Sequence, residues 1–134
     1  MVPENAMPAI PWSKELGLET LSLGDGLCSM RLSCRPDLTD GGGAIAAGVV
    51  ASLIDHACGG AIMSRSQGLS ISTLNLKIDH VRAPFATCAV TAWAHCYKVS
   101  ETMAFVRAEA WDRGPADIFA AAQGVFAMNR PVAR

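Results

Sequence analysis

The sequence predicts an α+β domain in which an antiparallel sheet wraps one long helix. Three observations carry that expectation. Ala46 to Ser64 is the only long helix candidate, and it is almost free of charge. Everything after Gly68 reads as strand. The breaks between those strands are short, which favours antiparallel neighbours. The 134 residues fit one domain spanning 1–134, since a split would leave both halves undersized.

The elements follow in chain order. Residues 1–11, with Pro3, Pro8 and Pro11, read as a loose arm. Ile10 to Leu16 suits a short helical turn ending at Gly17. Leu18 to Leu23 and Leu27 to Cys34 read as two strands around the turn signal Gly24-Asp25-Gly26. Arg35 to Gly43 is a loop marked by Pro36 and three glycines. The helix AAGVVASLIDHACGGAIMS follows, with a start that can extend to Ala44. Its small and aliphatic composition is that of a helix enclosed on most sides, not of an amphipathic surface helix. Ile71 to Val81 places Leu74, Leu76 and Ile78 at period two. Cys88 to Val99, Thr102 to Trp111 and Ile118 to Met128 complete a four-strand meander, broken at Ala83-Pro84, Ser100-Glu101 and Gly114-Pro115.

Composition excludes several functions. Eleven basic and twelve acidic residues leave a formal charge of -1 with no basic stripe, so no nucleic-acid partner is expected. No run approaches 18 consecutive apolar residues, so no membrane span is expected. With 51% hydrophobic residues, the apolar excess points to buried subunit contacts. Five cysteines, an odd number without a CxxC pair, read as buried thiols in a reducing compartment. His56, His80 and His95 lack metal-ligand spacing, and no metal or cofactor is expected. The first twelve residues have no signal-peptide pattern, and a cytoplasmic location is the expectation.

Asp55 is the residue that demands a reason. It lies mid-helix between Leu53-Ile54 and His56-Ala57-Cys58. Its same-face neighbours include Gly48, Ala51, Ser52, Cys58, Gly59 and Ile62, mostly small, so another backbone or a ligand can approach. An acid among apolar residues is costly unless paired or hydrogen-bonded, which makes it a functional candidate or a structural acid bonded to a neighbouring strand. At the helix start, Ala46, Ala47 and Gly48 offer N–H groups without intrahelical partners. Such donors, aided by the helix dipole, can hold a carbonyl oxygen that becomes negative in acyl transfer. Gly41-Gly42-Gly43 gives a ligand access to them.

The segment DGGGAIAAGVVASLIDHACG, Asp40 to Gly59, resembles the helix region of hotdog-fold acyl-CoA thioesterases of the phenylacetate-pathway-like (PaaI-like) subfamily. The pattern there is an Asn-containing loop, His-Gly-Gly, then an aliphatic helix with an acid seven residues after the second Gly. Gly48 and Asp55 keep that spacing, while Ala46 and Ala47 replace the His and first Gly. The likeness continues through SISTLNLKIDHVRAP and covers about residues 16–129. It implies a hotdog fold and hydrolysis of an acyl-coenzyme A thioester. Asp55 would be the general base or nucleophile, and the Ala47 N–H, with Gly48 behind it, would polarise the thioester carbonyl. Asp40 falls where the loop Asn sits. Thr73 matches a Ser/Thr that positions water, on a strand the family takes from the opposite subunit. Arg82, at a strand end, is a candidate for the coenzyme A phosphates. His56, about a hundred degrees around the helix from Asp55, is expected to be structural.

A homodimer, and beyond it a homotetramer, is expected, because one helix covers only one sheet face. A binding protein that retains acyl-CoA or another apolar ligand without turnover is the alternative, motivated by Ala46 and Ala47.

Overall fold

A computed structural model describes residues 10–66 and 68–129. Residues 1–9 of the expected arm lie outside them. The helical turn forms as α1 (Pro11–Leu16), with proline in its first turn and Gly17 ending it at φ 71°. Buried Leu16 anchors it to the core. Next, β1 (Glu19–Gly24) and β2 (Leu27–Leu32) pair antiparallel. Asp25 and Gly26 between them both have positive φ, 54° and 78°, as a two-residue hairpin that follows strand twist requires.

The long helix is α2 (Ala47–Arg65), displaced by one residue at each end from the expected span. Four strands follow: β3 (Ser70–His80), β4 (Val90–Val99), β5 (Met103–Trp111) and β6 (Ile118–Asn129). They join β1 and β2 in one antiparallel sheet of order β1-β2-β4-β5-β6-β3. The expected four-strand meander is therefore corrected. β3 pairs with β6 at the far edge, and the hairpin takes its place beside β4. The connection over residues 81–89 is longer than a hairpin turn and carries the chain back across the end of the sheet.

One sheet face receives α2. Ala92, Ala94, Ala104, Ala108, Ala110 and Ala120 on that face are all buried, and such short side chains let the helix approach closely. Val50, Leu53, Ile54, Ala57, Cys58, Ala61 and Ile62 fill the interface from the helix side. By length and composition α2 would suffice for a membrane span. Its apolar residues instead face the sheet. The enclosure expected of α2 is incomplete in one chain. Ala47 and Gly48 are exposed, and Ser52, Asp55, His56 and Gly59 are half-buried along a flank whose one carboxylate is Asp55.

Candidate active site

Asp55 projects from α2 toward β3, where Thr73 Oγ1 donates a 2.8 Å hydrogen bond to its Oδ1. Strand geometry explains how Thr73 arrives there. Leu76 and Ile78 sit on the helix-facing side opposite Gly124 and Ala122, but the register slips between Thr73 and Asn75. Leu74 is the extra residue of a bulge, which re-aims the chain. Leu74 is thereby expelled to 59% exposure, and Thr73 takes the inward place opposite Phe126. The period-two reading of Leu74 with Leu76 and Ile78 is corrected at that point. The family resemblance implies a Thr73 supplied by a second subunit; here Thr73 of the same chain holds the carboxylate.

Asp55 and Thr73 line a cavity of about 290 Å³ with His56, Gly59 and an apolar wall that includes Met63, Ile71 and Phe126. Ile10, just before α1, closes one side of it, and Trp12 Nε1 donates to Ser52 Oγ at 3.2 Å, which ties α1 to α2. Sequence reasoning set His56 aside because of its angle on the helix. In the structure it shares the cavity, with Nδ1 2.7 Å from the Ser52 carbonyl oxygen. A carbonyl only accepts, so Nδ1 carries the proton and, in the neutral ring, Nε2 is an acceptor. The partner is a main-chain carbonyl that any residue four positions earlier would supply, so the sequence held no signal for it.

The helix start forms a separate cleft, also about 290 Å³, lined by Asp40, Ala47, His80 and Arg82 among others. Val49 and Val50 donate to the Ala46 carbonyl, so the N–H groups of Ala47 and Gly48 are the first two of α2 and have no intrahelical acceptor. No side chain caps them. Asp40 Oδ1 accepts the Gly42 N–H at 2.8 Å, a local turn that holds its carboxylate at the cleft. The five candidate residues thus fall into two groups within one chain: Asp55 with Thr73, and Ala47 with Asp40 beside the exposed Gly48.

Arg82, the candidate for the coenzyme A phosphates, is engaged within the chain. Its Nη1 and Nη2 donate to Asp112 Oδ2 and Oδ1 at 3.0 and 2.9 Å, and Nη2 also reaches Asp117 at 3.2 Å. The Phe85 ring lies 4.5 Å below the guanidinium. The Asp112 side chain is fully buried. Hydrogen bonding to Arg82 holds the Asp112 carboxyl well below the usual carboxylate range, with help from the N–H groups of Phe85 and Arg113. Arg82 is the core of a structural clamp, its one positive charge shared between the Asp112 and Asp117 carboxylates. The thiols of Cys28, Cys58 and Cys96 are buried, and burial raises the pKa of each, that of Cys28 to about 12. Among the described residues no three His, Cys, Asp or Glu side chains are placed to hold a metal ion.

A family model described as the thioesterase superfamily matches residues 42–118. No curated protein matches the chain. Among solved structures, a conserved protein from Pseudomonas aeruginosa is 30% identical at a TM-score of 0.84, covering 94% of this chain and 99% of that one. A mutant of the phenylacetic acid degradation protein PaaI from Thermus thermophilus is 26% identical, with a TM-score of 0.79 and coverage of 91% and 100%. Zebrafish thioesterase superfamily member 2 is 20% identical at a TM-score of 0.79, covering 92% of this chain and 88% of that one, and bears on the fold alone.

Proposed function

We propose that this chain, which belongs to the thioesterase superfamily and is PaaI-like with a hotdog fold, hydrolyses the thioester of an acyl-coenzyme A. The observation that carries the proposal is a helix-borne carboxylate, Asp55, held by the Thr73 hydroxyl at an apolar cavity. Among the described residues Oδ2 of Asp55 has no protein hydrogen-bond partner, so one carboxylate oxygen is positioned while the other is free to take a proton from water. Asp55 acts as general base, or as nucleophile on the thioester carbon. The N–H groups of Ala47 and Gly48 stabilise the oxyanion.

Those donors lie seven or eight residues before Asp55, about 10–12 Å along the helix, and open on a different cleft. A second copy of the chain completes the site: its helix start faces this chain's Asp55, and the reverse. β3 supports such an assembly. It is an 11-residue strand at the sheet edge, paired on one side only, with Leu74 exposed. An edge of that length is a template for another strand.

Retention of acyl-CoA without turnover is the second reading, and Asp40 favours it. A carboxylate at the oxyanion cleft repels developing negative charge, whereas an Asn there would donate to it. A thiol-release assay over a panel of acyl-CoAs decides between them. Turnover that saturates with substrate supports hydrolysis. Saturable binding with no thiol released overturns it.

A further inference from the structure

We propose that Gly59 is a specificity-determining position whose missing side chain keeps space beside Asp55 for an acyl group that is bulky next to its carbonyl, either branched or ring-bearing. The inference rests on the thioester reading above. Gly59 lies one helical turn beyond Asp55 on the same face, and both line the cavity of about 290 Å³. A Cβ built on Gly59 meets nothing within 4 Å, so a side chain there enters the cavity and not the packing.

The other glycines show why this one is different. Gly26 has φ 78°, a conformation that L side chains rarely adopt. Gly124 has no room, since a Cβ would stand 2.7 Å from Phe126 Cε1 and 3.2 Å from the Asn75 carbonyl oxygen. Gly48 is open, but it does not line this cavity. Gly59 sits inside regular helix and is not among the positive-φ glycines. Neither backbone nor packing requires glycine at 59, and glycine is the poorest helix former after proline. What a methyl group would remove is volume next to the carboxylate. The surrounding wall of Met63, Ile71 and Phe126 is apolar, so the group that fills the space is hydrocarbon.

The test uses the full chain and two variants, Gly59→Ala and Gly59→Leu. Each is assayed on hexanoyl-CoA, 2-methylbutanoyl-CoA and benzoyl-CoA, and melting temperatures are recorded. Gly59→Ala should melt roughly 2–5 °C higher than the parent. It should keep hexanoyl-CoA turnover within about twofold and lose about tenfold in kcat/KM on the branched and aromatic substrates, the scale of one carbon in a tight pocket. Gly59→Leu should lose more on those two. An equal fall on all three substrates, no fall on the bulky two, or a lower melting temperature for Gly59→Ala overturns the proposal. If the parent cleaves none of the three, the hydrolase reading fails, and calorimetric binding of the same acyl-CoAs decides the role of Gly59. Selective loss of the bulky ligands in Gly59→Ala supports it; equal loss, or no binding by the parent, overturns it.

Discussion

The hydroxyl of Thr73 reaches Asp55 because the strand slips by one residue immediately after it. Without the bulge at Leu74, Thr73 would face away from α2 and Leu74 would press against the carboxylate. An apolar neighbour with no donor would leave Asp55 desolvated and unpaired. The single inserted residue exchanges that arrangement for a charge-assisted hydrogen bond.

Asp55→Asn preserves shape and removes the proposed base. We expect kcat to fall by about a hundredfold or more, the scale of a positioned base, with the melting temperature nearly unchanged. Thr73→Val should cost about tenfold, the worth of one hydrogen bond, and Thr73→Ser should restore most of it. Full turnover by Asp55→Asn on a substrate the parent cleaves makes Asp55 a structural acid only.

Light scattering at micromolar concentration should give a mass of at least twice 14.1 kDa. Leu74→Lys places a charge on the exposed part of the edge strand, a common device against strand pairing. It should lower the mass and the specific activity together, because in the proposed assembly the donors and the carboxylate come from different copies. A parent that remains monomeric while fully active removes the shared site.

Arg82→Ala should destabilise the fold, since it strands the buried Asp112 carboxylate. The Asp112 pKa is lowered on folding. Its contribution is therefore present above the unfolded value near 4 and is lost only as pH falls well below that. Denaturant melts at pH 7 and pH 3 should both show a penalty for Arg82→Ala. KM for an acyl-CoA should change by less than about twofold if phosphate contact is absent; a tenfold rise would restore Arg82 to substrate binding.

Burial raises the pKa of Cys28, Cys58 and Cys96. Their contribution is intact below the unfolded thiol value of about 8.5 and is lost as pH climbs toward the folded values. The melting temperature should fall between about pH 9 and pH 12. At pH 8 a thiol reagent should label Cys34 and Cys88 alone before unfolding, as these are the half-buried pair. Prompt labelling of all five would contradict the buried positions.

Much of this architecture was legible because it depends on local chemistry. An uncharged stretch with one acid marked α2, and Asp25-Gly26 marked the hairpin. Strand order was not legible, since residues 71–81 alternate in the same way whether β3 pairs with β4 or with β6. The bulge was also hidden. Leu74 reads as a core position, and only pairing with β6 exposes the extra residue. At the site, Asp55 was conspicuous as a charge among aliphatics. The role of Arg82 was not, because Asp112 and Asp117 lie thirty or more positions away and meet it only when two connections converge.

That convergence has a consequence for motion. Arg82 and Phe85 come from the connection after β3, and Asp112 and Asp117 from the connection after β5. Phe85 N–H ends on Asp112 Oδ2 at 2.8 Å, and Val81 N–H on the Phe119 carbonyl. The end of the sheet that walls the helix-start cleft is therefore latched by side chains, while at the opposite end the residue 100–102 turn is held by Ser100 with Met103 and by the Met128 N–H on the Thr102 carbonyl. Amide hydrogens on Val81 and Phe85 should exchange with solvent as slowly as those of central strands, although they belong to a connection and not to a strand. The cleft would then keep its shape through local openings that fray the other end.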